Sequence, residues 1–443
     1  MARPLRLVID LRWMIPGTAG GLENVAWCFL ERLFSAREFA DITLIVPGEL
    51  VRRLRMIAPA HIRLTSRDSF QWDMSWLLQR IGVRQARDCD RDIFDIAYAM
   101  NGRIHPDLMS TPTVVMMADL QHFVLPQLFD LAEQQDRAQA SIEAARCARL
   151  LLTISDFSRS EIARILKIPS DQVLVAHLAP DAVFERENDR SAEEAIVARY
   201  GLSDTPYCLL PAQLWQHKNH SAVISALEII LAQGGDAPLL ICTGADSGSF
   251  AERLKADTAK SPVAAHVRFL GRVPREDQPA LYAGARALVF CSLYEGFGMP
   301  VVEAMAMGCP VIAANSSALP EVAGGAAILV SGDDPTAIAA AIRQVSTDDA
   351  LRARLIVEGL RRVAQFSWQR HFEDVIAALW RADGRGTPDL QMRSTVPGKF
   401  SLPVLGTSLS ARLSESIYPK LRRELLMHIR RLRKSFYGAR DRG

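Results

Sequence analysis

The chain has 443 residues, a length that predicts two or three domains rather than one. Hydrophobic residues make up 49% and charged residues 23%, and the formal net charge is +2, so the chain as a whole is not typical of a nucleic-acid-binding protein. Its seven cysteines are scattered and form no CxxC pair, which argues against a disulfide framework or a zinc cluster.

The first residues, MARPLRLVIDLRWM, contain too short an apolar stretch for a signal peptide, and no run of about 18 apolar residues follows. The cysteine usage indicates a reducing compartment. We therefore expect a cytoplasmic protein.

Short apolar runs rich in β-branched residues alternate with longer helical patterns such as 21–34 and 136–148. Continuous apolar strands separated by helices are typical of parallel sheets covered on both faces. Two such sets predict an α/β fold with two Rossmann-like, doubly wound domains. The predicted strands are 5–11, 42–47, 94–100, 113–120, 150–155 and 173–178 in the first half, and 207–212, 238–244, 267–271, 287–292, 310–315 and 326–330 in the second.

The boundary between the domains is expected in 180–205, a charged stretch without strand character. Three helical patterns follow residue 330, and a segment rich in Gly, Pro, Ser and Thr begins near 384. The expected organisation is an N-terminal domain (1–182), a C-terminal domain (205–365), a terminal helix that crosses back to the N-terminal domain (366–383), and a linker with a basic tail (384–443).

The tail, 412–443, is strongly basic: nine Lys or Arg lie between Lys420 and Arg442, against Glu424 and Asp441. Apolar residues fall near helical spacing among these charges. A basic amphipathic helix of this kind lies on an anionic membrane surface, or is a solvated terminal helix that packs on its own protein or stays partly disordered. Both interpretations remain open, and the first predicts a peripheral protein on the inner face of the cytoplasmic membrane.

Ligands of open α/β sheets bind beyond the carboxyl ends of the strands. Gly20 and Gly21 follow the first strand and precede a helix, so free amides there face a phosphate or simply belong to a turn. The sequence has no GxGxxG pattern, which argues against a dinucleotide oxidoreductase. Lys218 opens a helix after strand 207–212 and is either a surface lysine or a cation for a diphosphate.

The stretch YEGFGMPVVEAMAMG, 294–308, follows strand 287–292 directly. Gly296 and Gly298 let the backbone approach a ligand closely. A helix that starts near Met299 leaves Glu295 in the loop and puts Glu303 one turn into the helix, where each carboxylate can accept hydrogen bonds from adjacent sugar hydroxyls. Alternatively, Glu303 interacts with the helix dipole and Glu295 is a turn residue.

This stretch, together with GCPVIA after it, resembles the E-x7-E motif of family 4 glycosyltransferases, which are retaining enzymes of the GT-B fold. Further segments are similar to the family in the expected order: GGLENV, TISDFSRSEIARIL, SALPEVAGGAAILV, DDPTAIAAAI and FSWQRHFEDVIAAL. The resemblance covers roughly residues 5–383.

The resemblance implies that the C-terminal domain holds a nucleotide diphosphate sugar, with Glu303 on the ribose, Glu295 on the donor sugar and Lys218 on the diphosphate. A fixed cation there stabilises the charge that grows on the leaving group. Retention in this family is usually explained by front-face attack, in which the leaving phosphate helps to deprotonate the acceptor. We expect no cofactor besides the donor substrate and no metal. The other residues implied on the donor side are Gly20, Gly21, Gln213, His217, Gly296, Phe297, Gly298 and Met299.

Two positions depart from the family pattern. Gln213 stands where the family commonly has an arginine, and His217 or His220 would have to compensate. A His-Asp pair of the family reads Ala118-Asp119 here. His122, three residues later, takes the histidine's catalytic place or is a structural loop histidine. We assign Asp119 and Glu23 to the acceptor side.

A short DCD at 88–90 resembles a metal-binding D-x-D, but its charged surroundings favour a solvated loop, and no metal is predicted. The sequence therefore predicts a retaining hexosyltransferase that uses a nucleotide diphosphate sugar and a saccharide or lipid-linked saccharide acceptor. The segment PAQLWQHKNH is similar to a subgroup in cell-surface polysaccharide or lipopolysaccharide assembly, some with mannose donors. The alternatives are a nucleotide-sugar epimerase, a phosphorylase and a non-catalytic nucleotide-sugar binder.

Overall fold

The first half of the chain forms a parallel sheet with the strand order β3-β2-β1-β4-β5-β6-β7. The structure, a computed structural model, describes residues 5–15, 21–36, 39–66, 94–185, 190–203 and 205–384. The strands are β1 (Leu5–Asp10), β2 (Phe39–Val46), β3 (Ile62–Ser66), β4 (Ile96–Ala99), β5 (Thr113–Met116), β6 (Leu150–Thr153) and β7 (Val173–Val175).

Helices cover both faces of this sheet, as its continuous apolar strands require. Two of them begin at capping side chains: Asp130 accepts from the Glu133 amide at 2.8 Å, and Ser155 accepts from the Ser158 amide at 3.0 Å. The cap at Asp130 starts its helix earlier than the predicted pattern 136–148. The helices are α1 (Gly21–Leu33), α2 (Gly48–Ile57), α3 (Gln121–Val124), α4 (Leu131–Cys147) and α5 (Asp156–Leu166).

The second half of the chain repeats the scheme with the parallel strand order β10-β9-β8-β11-β12-β13. Its strands are β8 (Tyr207–Pro211), β9 (Leu239–Thr243), β10 (Val267–Gly271), β11 (Ala287–Phe290), β12 (Val311–Ala314) and β13 (Ile328–Val330). Its helices are α6 (Arg190–Arg199), α7 (His220–Ala232), α8 (Ser249–Lys260), α9 (Gln278–Ala283), α10 (Met299–Ala306), α11 (Leu319–Ala323), α12 (Pro335–Thr347) and α13 (Asp349–Val363).

The last described helix, α14 (Trp368–Asp383), packs on the first sheet rather than the second. Trp368 Nε1 donates to the Pro180 carbonyl at 2.7 Å, and the ring centroids of Phe372 and Phe29 are 5.3 Å apart. Both sheets belong to one unit, 1–388. The predicted linker and tail lie outside the described residues from 385 onward, as does the DCD at 88–90.

The prediction of two doubly wound sheets is confirmed, and every predicted strand overlaps an observed one. The strand β3, IRLTS, was not predicted; only Ile62 in it is buried, while Arg63 and Ser66 are exposed. Because β3 is an edge strand, it lacks the continuous apolar run that marks central parallel strands. Among the described helices, none combines the length and the apolar character needed to cross a bilayer.

In both sheets the order reverses beside the first strand, between β1 and β4 and between β8 and β11. Such switch points open a crevice at the carboxyl ends of the strands. The loops after β8 and β11 leave the second sheet at this edge, and the loop after β5 leaves the first. The predicted site residues lie in or directly after these loops, except Gly21 and Glu23 of α1 and Gly20, which lies outside the described residues.

Candidate active site

Lys218 and Glu295 form an ion pair at the switch point of the second sheet. Lys218 Nζ donates to Glu295 Oε1 at 2.6 Å, and the two side chains are only 17% and 13% exposed. Lys218 Nζ also lies 5.7 Å from the centre of the Phe290 ring. The structure thus brings two predicted site residues into direct contact although they are 77 positions apart in the chain.

Asn219 fixes the loop that carries Lys218. Its backbone is left-handed, with φ 59°, a conformation that asparagine tolerates better than most residues. Its side-chain Nδ2 donates to the carbonyls of Cys291 at 3.0 Å and Gly332 at 2.6 Å. The loop after β8 is therefore bonded to the ends of two other strands. Asn219 was not predicted as a site residue, although its place next to Lys218 in the loop after β8 could have indicated it.

Glu303 lies one turn into α10, as predicted, with a tyrosine as its partner. Tyr282 Oη donates to Glu303 Oε2 at 2.6 Å. Burial raises the pKa of Glu303, while the Tyr282 hydrogen bond and the charge of Arg275 lower it. One carboxylate oxygen is thus used by the protein itself. Tyr282 comes from the helix before β11, so no sequence spacing connected it to Glu303.

The resemblance implies that the protein binds its nucleotide through the Glu303 carboxylate, and this binding is lost as the pH falls. In Tyr282→Phe we expect the loss to occur at a higher pH than in the unchanged protein. Without the hydroxyl, the pKa of Glu303 rises further above its usual value, so protonation removes the acceptor earlier as the pH falls. Calorimetric titration of a nucleoside diphosphate between about pH 5 and 8 measures this shift. The control is Tyr200→Phe, which removes a similar bond to the Asp277 carboxylate. Identical pH profiles for Tyr282→Phe and the unchanged protein would contradict the expectation.

The glycines of the loop after β11 are required by protein neighbours. A Cβ on Gly296 would lie 2.9 Å from the Ala118 carbonyl oxygen and 3.1 Å from Asp119 Cβ. Gly298 has φ +102°, and a Cβ there would meet Leu319 Cδ2 at 2.5 Å. Close approach of a ligand to both glycines stays a prediction, and the structure adds that Gly296 faces Ala118 and Asp119 of the N-terminal half.

Asp119 lies close to the Lys218–Glu295 pair. Its Oδ1 accepts from the Gln121 amide at 2.9 Å. Burial raises the pKa of Asp119, the Gln121 amide lowers it, and the negative charge of Glu295 raises it again. The structure therefore gathers carboxylates from both halves, Asp119 and Glu295, around one lysine.

His122 points into the N-terminal half. It is buried, its Nε2 lies 3.2 Å from Ser141 Oγ, and its ring packs against Phe123 and Phe129. Burial, assisted by the charges of nearby arginines, lowers the pKa of His122 to about 4, so the ring is neutral near pH 7. These contacts are those of a structural histidine, and a catalytic role for His122 stays a prediction.

The remaining predicted residues, apart from Gly20, lie in or directly after the loops that follow β8 and β11, or in the first turn of α1. Burial and the charge of Lys218 lower the pKa of His217 to about 4, and its ring centroid is 5.6 Å from that of exposed Trp215. Phe297 is buried against Phe366 at a ring separation of 5.5 Å. Gln213 is half-buried in the loop after β8, and Met299 is the first residue of α10. Gly21 is the first residue of α1, and Glu23 lies in the first turn of that helix. Gly20 lies outside the described residues.

A family model described as "Glycosyl transferases group 1" matches residues 193–362. The O-antigen chain mannosyltransferase B of Escherichia coli is 33% identical over 258 residues, which are 58% of this chain and 67% of that protein. The chain belongs to this glycosyltransferase family, which confirms the predicted family.

A second relative is the GDP-mannose-dependent alpha-(1-6)-phosphatidylinositol monomannoside mannosyltransferase of Mycolicibacterium smegmatis. It is 30% identical over 232 residues, 50% of this chain and 59% of that protein. The match thus spans less than two thirds of this relative.

Solved structures support the fold. HepE of Anabaena in complex with UDP has a TM-score of 0.64 at 18% identity, covering 84% of this chain and 98% of that one. WaaG, a glycosyltransferase involved in lipopolysaccharide biosynthesis, has a TM-score of 0.62 at 15% identity, with 84% and 99% covered. The predicted GT-B fold is confirmed.

Proposed function

We propose that the protein is a retaining mannosyltransferase. It would move mannose from GDP-mannose to a hydroxyl of a saccharide or lipid-linked saccharide during assembly of a cell-surface polysaccharide. The names of the relatives support mannose and a GDP donor, since one is an O-antigen chain mannosyltransferase and another is GDP-mannose-dependent. Membrane association through 412–443 and a cytoplasmic location remain predictions from the sequence.

The observation that carries the proposal is the Lys218–Glu295 pair at the carboxyl ends of β8 and β11. A donor diphosphate needs a fixed cation where its charge rises, and Lys218 is half-buried and held in place for that role. When the diphosphate pairs with Lys218, the ion pair between Lys218 and Glu295 breaks. The Glu295 carboxylate is then free to accept hydrogen bonds from the donor sugar. Glu303, already bonded to Tyr282, has its second oxygen for a ribose hydroxyl.

The transfer then proceeds on one face of the sugar. The bond from the anomeric carbon to the diphosphate oxygen breaks, and a bond to the acceptor oxygen forms on the same side. The acceptor proton passes to the leaving phosphate oxygen, so the configuration is retained. Lys218 stabilises the charge that develops on the diphosphate, and in this proposal no divalent metal is needed for that step.

The acceptor would enter from the N-terminal half, beside Asp119 and the first turn of α1 with Glu23. Asp119 lies against Gly296, next to the carboxylate assigned to the donor sugar. Contact between the two halves at this point excludes water from the reacting atoms, which limits donor hydrolysis.

The test is a donor screen followed by product analysis. GDP-, UDP- and ADP-sugars are first compared by thermal shift, because a ligand that binds only the folded state raises its melting temperature. The protein is then incubated with the stabilising donor and a mannose-containing acceptor, with and without EDTA. We expect a new α-mannosidic linkage by NMR, at the same rate in both samples.

A product of inverted configuration would overturn retention, and loss of activity with EDTA would overturn the metal-free step. The alternative of a non-catalytic binder is supported if GDP-mannose raises the melting temperature but no donor yields a product. A sugar released as an epimer would instead indicate an epimerase.

A further inference from the structure

Glu321 of α11 joins the C-terminal half to the N-terminal half. Its Oε1 accepts from the Asp156 amide and its Oε2 from the Phe157 amide, both at 2.8 Å. These amides belong to the first turn of α5, which is 164 or more positions away in the chain. His177 Nε2 lies 2.9 Å from the same Oε1.

The first amides of a helix have no partners within the helix, and they carry a positive partial charge. Ser155, the capping residue of α5, satisfies only the Ser158 amide. Glu321 accepts from two of the others, so a side chain of one half completes the cap of a helix in the other. Burial raises the pKa of Glu321, but the bonds from His177 and the two amides outweigh it and hold this pKa below its usual value.

Asp156, His177 and Glu321 also have the residue types and spacing of a metal site. The geometry argues against a cation, because both Glu321 oxygens already face N–H groups. A cation would have to displace these amides and lie at the positive end of a helix. The cluster therefore fits an anionic helix cap.

The same turn of α5 contacts the loop that carries Glu295. Ser158 Oγ donates to the Gly296 carbonyl at 3.3 Å, and the rings of Phe157 and Tyr294 pack edge to face with centroids 5.6 Å apart. The loop after β11 is thus packed against α5 on either side of Glu295.

The segment that carries Glu321 also holds the Glu295 backbone. The Glu295 amide donates to Ser317 Oγ at 2.9 Å, and its carbonyl accepts from the Ala318 amide at 3.3 Å. Ala318 directly precedes α11. The position of Glu295 therefore depends on α11, and α11 is anchored to α5 through Glu321.

We propose that Glu321 is a positioning residue for sugar transfer. By capping α5 across the two halves, it holds α11 and the loop 294–298 so that the Glu295 carboxylate meets the donor sugar. This inference rests on the proposed function, in which Glu295 contacts that sugar.

Replacing Glu321 by Ala is expected to lower kcat at least about tenfold, while the Kd for a nucleoside diphosphate changes less than about twofold. The nucleotide affinity survives because Lys218 and Glu303 lie within the C-terminal half. Hydrogen exchange of the peptide 155–166 should become faster, since two of its amides lose their acceptor. Glu321→Gln, which keeps an acceptor oxygen but no charge, should give intermediate values.

The matched control is Glu252→Ala, which removes an exposed glutamate from the first turn of α8, also in the C-terminal half. It should change neither kcat nor exchange at 155–166. Nucleotide binding checks that each variant is folded, and Glu321→Gln replaces Glu321→Ala if the latter fails this check.

Unchanged exchange at 155–166 in a folded variant would show that the cap does not form in solution. Faster exchange with an unchanged kcat would refute the positioning role. If the unchanged protein transfers no sugar, the proposed function fails, while the exchange measurement still decides whether Glu321 caps α5.

Discussion

Lys218→Ala is expected to lower kcat/KM for sugar transfer by about 10²–10³-fold, the range seen when one electrostatic stabiliser of a developing anion is removed. The variant loses the cation that faces the leaving diphosphate. It also leaves Glu295, 13% exposed, without its ion-pair partner.

The measurement is a steady-state transfer assay together with the Kd of the nucleoside diphosphate. Lys218→Met separates charge from packing, since it keeps the length of the side chain beside the Phe290 ring. Lys260→Ala, at an exposed position in the last turn of α8, is the control for loss of a positive charge. If Lys218→Ala keeps its turnover within about twofold, Lys218 is not the diphosphate cation.

Glu295→Gln should separate catalysis from nucleotide binding. We expect kcat to fall by about 10²-fold or more, because the amide cannot replace a carboxylate that the transition state uses. The affinity for a nucleoside diphosphate should stay the same or increase, since Lys218 is no longer held by a carboxylate at 2.6 Å. Calorimetry with the diphosphate and the transfer assay measure the two quantities independently.

Weaker diphosphate binding in Glu295→Gln would contradict this expectation, because it would mean that the pair positions Lys218 rather than competes for it. The double variant Lys218→Ala/Glu295→Gln completes the cycle. Its affinity should equal that of Lys218→Ala alone if Glu295 acts on the diphosphate only through the lysine.

The predictions from the sequence were most reliable where a residue pattern has one physical cause. Buried parallel strands read as continuous apolar runs, so the core strands of both sheets were found, while the half-exposed edge strand β3 was not. Lys218, Glu295 and Glu303 were selected because each follows a strand, and strand ends meet at one edge of a sheet. That rule brings residues to the same region, but it does not predict which of them touch.

Partners from distant segments were therefore missed. The hydrogen bond from Tyr282 to Glu303 and the bonds from Asn219 to two strand ends depend on how neighbouring elements pack. Gly296 is a further example. A glycine in the sequence indicates that another group comes close to the backbone, but it does not identify that group. The sequence indicated a ligand beside Gly296, and the structure adds the Ala118 carbonyl and the Asp119 side chain as close protein neighbours.

The placement of α14 has a consequence for how the protein is made. The first sheet buries the apolar face of this helix, including Phe372, Val375 and Ile376, although the helix follows all of the second half in the chain. The N-terminal half is therefore discontinuous, and during synthesis it cannot complete its core until the ribosome has passed residue 383. Until then its uncovered face is available to a chaperone, while the C-terminal half already has every strand and helix of its own sheet.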